Sequence, residues 1–313
     1  MVQRNRGSIP DWLVLGWGEM VKSKIFRSQI FRPRDSNSGL ETDPGFARNS
    51  RESMNNLSDQ DLAAAVELNQ AHWLRLEGQL PWVKFNDDGD VLRVFAGDTW
   101  PRNRVALARF LPATAHQRIG EILAPHLEHK VACNWVVGPI SEPPDLGRHL
   151  RAHGFHCMIH CPGMSRDLGT LPADPGCPAG FKIRPADQPA RLRPLTTERR
   201  RRNYEGLTSV VRQSPRPLWF FIASQGNRQV GGAVLLTAAG VAGIYGVEVL
   251  KDFRRRGLGA ALVFAALRKA RQLRLPAAVL SASGLGLNVY QRLGFREVCR
   301  LSFWRFGKMR QRT

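Results

Sequence analysis

Acidic residues are scarce in the second half of this chain. Residues 181–313 carry only six, Asp187, Glu198, Glu205, Glu248, Asp252 and Glu297, against 26 Lys and Arg. Residues 1–180 hold 20 of each sign, so the whole net charge of +20 resides in the C-terminal part. Such an imbalance points to a polyanionic partner there, either a nucleotide cofactor or a nucleic acid. Cysteine is sparse too. Five in 313 residues, an odd count, argue against a disulfide framework and for a reducing, cytoplasmic setting. No apolar run approaches the roughly 20 residues that cross a bilayer. The stretch "IPDWLVLGWG" is short, begins beside Asp11 and lacks a small-residue cleavage site, so it does not read as a signal peptide. Tyrosine occurs three times, at 204, 245 and 290. No recognisable nucleic-acid-binding motif is present.

The length favours two domains. Residues 1–55 are polar, basic and without a sustained period, and read as a poorly ordered arm. Residues 56–168 open on "LSDQDLAAAVELNQAHWLRL", a helix with Ser58 at its N-cap and Asp61 three residues on. Strands ("VLRVFAG", "RVALARFL"), a helix ("ATAHQRIGEILAPHL"), a strand ("VACNWVVGP"), a helix ("DLGRHLRAHGF") and a strand ("HCMIHCPGM") follow. A Pro/Gly linker spans 169–180. Residues 181–307 begin with a strand ("FKIRPA") and a helical reading of about 187–212, then strands "LWFFIAS", "QVGGAVLLT" and "VAGIYGVEVL". A helix ("GLGAALVFAALRKARQLR"), a buried strand ("AAVLSAS"), a short helix ("LNVYQRLGF") and a closing strand ("REVCRLSFWRF") end the region. Residues 308–313 form a basic tail. Both halves close on strand, helix, Gly-Phe, strand, and "LRAHGF" at 150–155 aligns with "YQRLGF" at 290–295 without a gap, which predicts a duplicated domain.

The densest local charge stands in "YGVEVLKDFRRRGLGAALVFAAL". Arg254, Arg255 and Arg256 precede Gly257 and Gly259, and residues 258–267 are apolar without a break. A helix buried on most sides, whose first turn carries glycines and arginines, aims free amides and the positive end of its dipole at a cleft. Glycines let an anion approach the backbone closely. A strand, a basic Gly-x-Gly turn and a helix together predict a diphosphate site.

At this point the residues resemble a known family. "RRRGLG" is similar to the Arg/Gln-x-x-Gly-x-Gly/Ala signature of the GNAT superfamily of acetyl-CoA-dependent N-acetyltransferases. "VLSAS" and "GLNVYQRLGF" are similar to its next strand and helix, in order and at the right distance. The resemblance covers about 182–306. Residues 57–168 look like a degenerate copy, with "FLPATAH" where the glycine turn would stand and Leu150 where the other copy has Tyr290. The implied fold is α/β with mixed α+β sheets: two GNAT-like domains in tandem, each a central, mainly antiparallel mixed sheet flanked by helices.

The resemblance implies acetyl-CoA as cosubstrate, no metal, and acetyl transfer to a primary amine by direct attack in a ternary complex. Val247 and Val249 would hold pantetheine as an added strand, with the amide near Val249 polarising the acetyl carbonyl. Backbone amides over residues 255–260, which include Leu258, Gly259 and Ala260, would hold the diphosphate, with Arg254, Arg255 and Arg256 around the rim. Ser283 stands where relatives often carry an asparagine contacting the cofactor, and Asn288 lies nearby at a different offset. Glu248, a carboxylate interrupting an apolar strand, is the candidate base, since only a neutral amine can attack. An ion pair with one of the many arginines is its alternative role. Tyr290 matches the position of the family's general-acid tyrosine, with simple packing as the alternative.

Two other clusters compete for attention. His149, His153, His156, Cys157, His160 and Cys161 are metal-ligand types, but in a strand Cys157 and Cys161 share one face roughly 13 Å apart and cannot chelate one ion. Arg199–Arg202 are spread around a helix axis and read as a solvated face. A basic nucleic-acid-binding or acetyl-CoA-sensing protein on the same scaffold is the alternative function. The acceptor side is implied to be shaped by 187–212, by a last hairpin at 297–306 and by the N-terminal domain.

Overall fold

The computed structural model describes residues 57–97, 103–186 and 217–307. The N-terminal arm, the basic tail and the helical reading of 187–212, with its arginine run, lie outside the described residues.

Helix α1 (Asp59–Glu77) starts on the anticipated capping box. The Ser58 Oγ accepts from the Asp61 amide at 3.1 Å, and the Asp61 carboxylate accepts from the Ser58 amide at 3.1 Å. The N-terminal half continues with β1 (Lys84–Asp87), β2 (Leu92–Phe95), β3 (Arg104–Ala106), α2 (Ala115–Glu128), β4 (Cys133–Val137), α3 (Leu146–Ala152) and β5 (His156–Asp167). The C-terminal half holds β6 (Lys182–Ala186), β7 (Leu218–Gln225), β8 (Arg228–Ala238), β9 (Val241–Val249), α4 (Leu258–Gln272), β10 (Ala277–Ser281), α5 (Leu287–Arg292) and β11 (Arg296–Phe306). Only β1, a short polar strand, was not foreseen. Neither its composition nor its length carries a strand signal. No described helix is long and apolar enough to cross a membrane.

The strands form one continuous sheet rather than two, in the order β1-β2-β3-β4-β11-β5-β10-β9-β8-β7-β6. Strand exchange is the cause. β5, closing the first half, pairs antiparallel with β10 of the second, from Asp167 opposite Ala277 to Gly163 opposite Ser281. β11, closing the second half, pairs antiparallel with β4 of the first, from Val137 opposite Ser302 to Cys133 opposite Phe306. β5 and β11 also pair with each other. Each half thereby covers an edge that the other would leave unpaired, which blunts the hazard of exposed strand edges. The last hairpin expected over 297–306 is therefore a central strand, inserted between β4 and β5.

α1 lies across this seam on one face of the sheet. Leu62 and Val66 pack with Val279, Leu301 and Phe303, while Trp73 and Leu76 pack with Tyr245, Leu218 and Phe220. On α4, Leu258, Leu262, Val263, Ala266 and Leu267 cover Val230, Leu235, Ile244 and Leu280 on the other face. None of the residues from Leu258 to Leu267 is exposed, as the unbroken apolar run predicts.

The His/Cys-rich segment is strand β5, but its alternation breaks. Its ladder with β11 slips between Phe303 opposite Ile159 and Trp304 opposite Cys157. That irregularity accompanies an approach of Cys157 Sγ to 3.5 Å from His160 Nε2, residues expected on opposite faces. Among the described residues, no group of three or more His, Cys, Asp or Glu is placed to hold a metal ion.

Candidate active site

β9 carries the site because it is irregular. Against β8, Glu248 pairs with Gly232 and Tyr245 with Val234, so three steps on β9 match two on β8. The extra residue forms a bulge, and Gly246 within it adopts φ +59°, a left-handed conformation that glycine takes without steric cost. The bulge resets the alternation. Ile244, Val247 and Val249 all pack on the α4 face, so Glu248 turns with Tyr245 toward the opposite face.

On its other side β9 parts from β10. The two pair in parallel only at Ala242–Ala278 and Gly243–Val279. Beyond Gly243 the strands splay and β9 presents an open edge. Leu250 donates its amide to Val230 O at 2.8 Å on the β8 side. Alternation therefore aims the Val249 backbone at the open side, where its carbonyl accepts from Arg254 Nε at 3.0 Å. The Val249 amide shares that direction, and so does Val247 two residues back.

The crevice continues into the head of α4. After a 3-10 turn at Lys251–Phe253, Arg255 adopts φ +60° and Gly257, the N-cap, φ +83°. No side chain caps this helix. The amides of residues 255–260 find no acceptor among the described residues. A Cβ at Gly259 would meet nothing within 4 Å, so the space before this turn is open. Residues 255–257 are exposed, so these amides face the open space, and six in succession beside a helix dipole offer a cradle for an anion.

A cleft of about 1060 Å³ joins these parts. Val247, Glu248, Val249, Arg254, Arg255, Gly257, Leu258, Gly259, Ala260, Ser283 and Tyr290 all line it. Two anticipated residues stand outside the lining. The Arg256 guanidinium donates to Asp252 O at 3.3 Å and lies 5.7 Å from the Phe253 ring centre, so it braces the turn. Asn288 is exposed on α5. Tyr290 is half-buried, edge-on to Phe295 at 6.0 Å, and burial pushes its phenol up to about 12. Its ring lies against the Gly286 backbone: a Cβ there would stand 2.7 Å from Tyr290 Cε2.

Sequence reasoning missed one wall. Pro172, Ala173 and Pro175 of the linker line the same cleft, as do Leu285, Val289 and Arg292 beside Tyr290. The prolines signal stiffness, but nothing in their spacing says where the linker packs.

The equivalent crevice of the N-terminal half is filled. β3 and β4 also pair in parallel at only two positions, Arg104–Asn134 and Val105–Trp135. There, after a turn at Gly138–Ser141, the parallel pairing resumes as a bridge between Arg109 and Glu142: the Glu142 amide donates to Ala108 O at 2.8 Å and the Phe110 amide to Glu142 O at 3.2 Å. The buried Glu67 of α1 fixes this plug, accepting from the Ile140 amide at 2.8 Å and the Ser141 hydroxyl at 2.6 Å. Leu111 O accepts both the Thr114 and Ala115 amides at 3.0 Å, so the head of α2 is partly satisfied from within the chain.

Residues 183–295 match the acetyltransferase (GNAT) family model. No curated protein matches the chain. Solved structures share its fold over both halves. A GCN5-related N-acetyltransferase from Kribbella flavida is 19% identical with a TM-score of 0.54, over 75% of this chain and 94% of its own. One from Sphaerobacter thermophilus is 17% identical with a TM-score of 0.54, over 79% and 92%. A tandem GNAT protein from the clavulanic acid biosynthesis pathway, solved without AcCoA, is 16% identical with a TM-score of 0.54, over 79% and 93%. The fold is that of the GNAT acetyltransferases, a mixed sheet flanked by helices. The family's match falls on the half that holds the open cleft.

Proposed function

We propose that this chain transfers an acetyl group from acetyl-CoA to a primary amine in a ternary complex. The observation that carries this reading is the run of unpartnered amides at residues 255–260, continuous with the open edge of β9. The residues present fit the cosubstrate: a strand edge suits the amides of pantetheine, and a cradle of N–H groups suits the diphosphate.

Bound acetyl-CoA would supply a thioester, whose carbonyl carbon accepts the amine and whose thiolate departs. The Val249 amide would polarise the carbonyl oxygen as negative charge gathers there. Glu248, on the opposite face from α4, would accept a proton from the amine directly or through water, leaving a lone pair for attack. As the new N–C bond forms and the C–S bond breaks, Tyr290 would give its proton to the sulfur. A phenol held near 12 keeps that proton at neutral pH. Arg254 and Arg255 would add charge around the diphosphate. The positive C-terminal half favours a neutral or acidic amine over a polyamine.

The same reading makes the N-terminal half a decayed second copy. Gly154 and Gly294, which follow α3 and α5, both adopt φ +80°, and each half has one two-residue parallel pairing before its crevice. One equivalent of acetyl-CoA per chain is expected, because residues 138–142 occupy the first crevice.

Calorimetric titration with acetyl-CoA, followed by a screen of amines with thiol release as readout, tests the proposal. Gly259→Glu should remove the binding heat while leaving the unfolding midpoint unchanged, because the added side chain meets only open space. A well-folded parent that gives no heat with acetyl-CoA ends the case.

A further inference from the structure

We propose that the linker between the two halves is part of the cofactor site, forming an outer wall against the nucleotide end of acetyl-CoA. This rests on the acetyl-CoA reading above and extends it to a segment outside the family's match at 183–295. The path of the linker carries the inference. It leaves β5 at the start of β10, where the Leu168 amide donates to Pro276 O at 2.9 Å. Leu171 packs into the α4-face core. Pro172, Ala173 and Pro175 then line the cleft. Pro178 Cγ comes 3.5 Å from where a Cβ on Gly257 would stand. Phe181 closes edge-on against Phe253 at 6.0 Å before β6 begins. The linker thus crosses the α4 face of the sheet and arrives at the phosphate turn.

Its chemistry suits that position. Pro172 and Pro175 have no amide to leave unpaired and hold φ near −65°, so the wall is stiff without needing partners of its own. Pro178 meets the cleft lining at Gly257, on the turn before α4, whereas Ile244 and Ser281 line it where β9 and β10 part. The ligand portion reaching the linker is the part beyond the diphosphate, a purine nucleotide, whose flat ring packs on proline faces.

The chain carries its own reporter. Cys177 is the exposed one of the five cysteines and sits between Pro175 and Pro178. Alkylation of Cys177 by a maleimide, followed by mass spectrometry with and without acetyl-CoA, reads whether the ligand covers the linker. Acetyl-CoA is the probe because its sulfur is blocked as the thioester. The second arm changes charge at the exposed Ala173. Ala173→Asp adds, on the cleft lining, a second carboxylate beside that of Asp174 and should weaken acetyl-CoA binding about tenfold, whereas Ala173→Arg should hold or tighten it. Slower alkylation together with opposite effects of the two charges supports the wall. If the parent binds acetyl-CoA but Cys177 reacts at its unliganded rate, or both variants bind like the parent, the wall is overturned while the acyltransfer reading stands. If the parent binds no acetyl-CoA, both fall.

Discussion

The Tyr245 hydroxyl donates to Asn69 Oδ1 at 2.6 Å across 176 residues of sequence. Tyr245 stands on the strand that forms the cleft, and Asn69 belongs to a helix of the other half. Asn69 is fully buried, and its amide nitrogen also meets the carbonyls of Ala238 at 2.8 Å and Val241 at 3.3 Å. Gly243 makes room for it, since a Cβ there would collide with Asn69 Oδ1 and the Tyr245 ring. Asn69→Leu leaves several buried polar groups unpaired and should cost about 2–4 kcal/mol of unfolding free energy in urea. Tyr245→Phe removes one bond and should cost about 1 kcal/mol, with the double variant less than additive.

Glu248→Gln keeps the shape of the side chain but loses its charge and cannot take a proton. Its kcat should fall about 10²–10⁴-fold, with acetyl-CoA affinity by calorimetry unchanged. A full rate with intact binding would assign Glu248 to a structural ion pair.

Tyr290→Phe should lower kcat while leaving the unfolding midpoint in place. Burial holds the phenol up near 12, so its acid form persists from neutral pH upward and its loss appears only as pH nears that value. Over pH 6–9 the parent's rate should therefore show no descending limb from this group. Gly286→Ala should partly reproduce the defect, because the new methyl displaces the ring that rests on residue 286.

The plug of the N-terminal crevice makes stability depend on pH. Burial pushes the Glu67 carboxyl from 4.5 up to about 7, against the pull of the Ser141 hydroxyl, the Ile140 and Gly138 amides and the charge of Arg109. Between those values the folded chain keeps a proton that the unfolded chain has released. The contribution is thus fully present below about 4.5 and lost as pH rises through about 7, amounting to about 3 kcal/mol in all. Urea midpoints measured at pH 5 and pH 8 should differ in that sense, and Glu67→Gln should flatten the difference.

Apart from β1, the described elements were legible because their local signals agree with their burial. The Ser58–Asp61 box, the apolar run from Leu258 and the Gly-Phe endings at 154 and 294 each needs only neighbouring residues to specify it. The basic turn at the head of α4 was legible for the same reason, since its glycines and arginines are contiguous. The bulge at Gly246, which decides where Glu248 points, leaves no trace beyond one glycine in an apolar strand. The exchange of β5 and β11 was hidden because neither strand's own residues say which neighbour its ladder takes. So was the linker's position, which depends on the long-range packing of Leu171 and Phe181.

The crossing of β5 and β11 makes the molecule indivisible. A gene cut at residue 175 would yield two fragments, each carrying a strand whose ladder belongs to the other and lacking one its own sheet needs. Neither could be shuffled into a new protein as a module, so whatever the second half catalyses, the first has to be inherited with it.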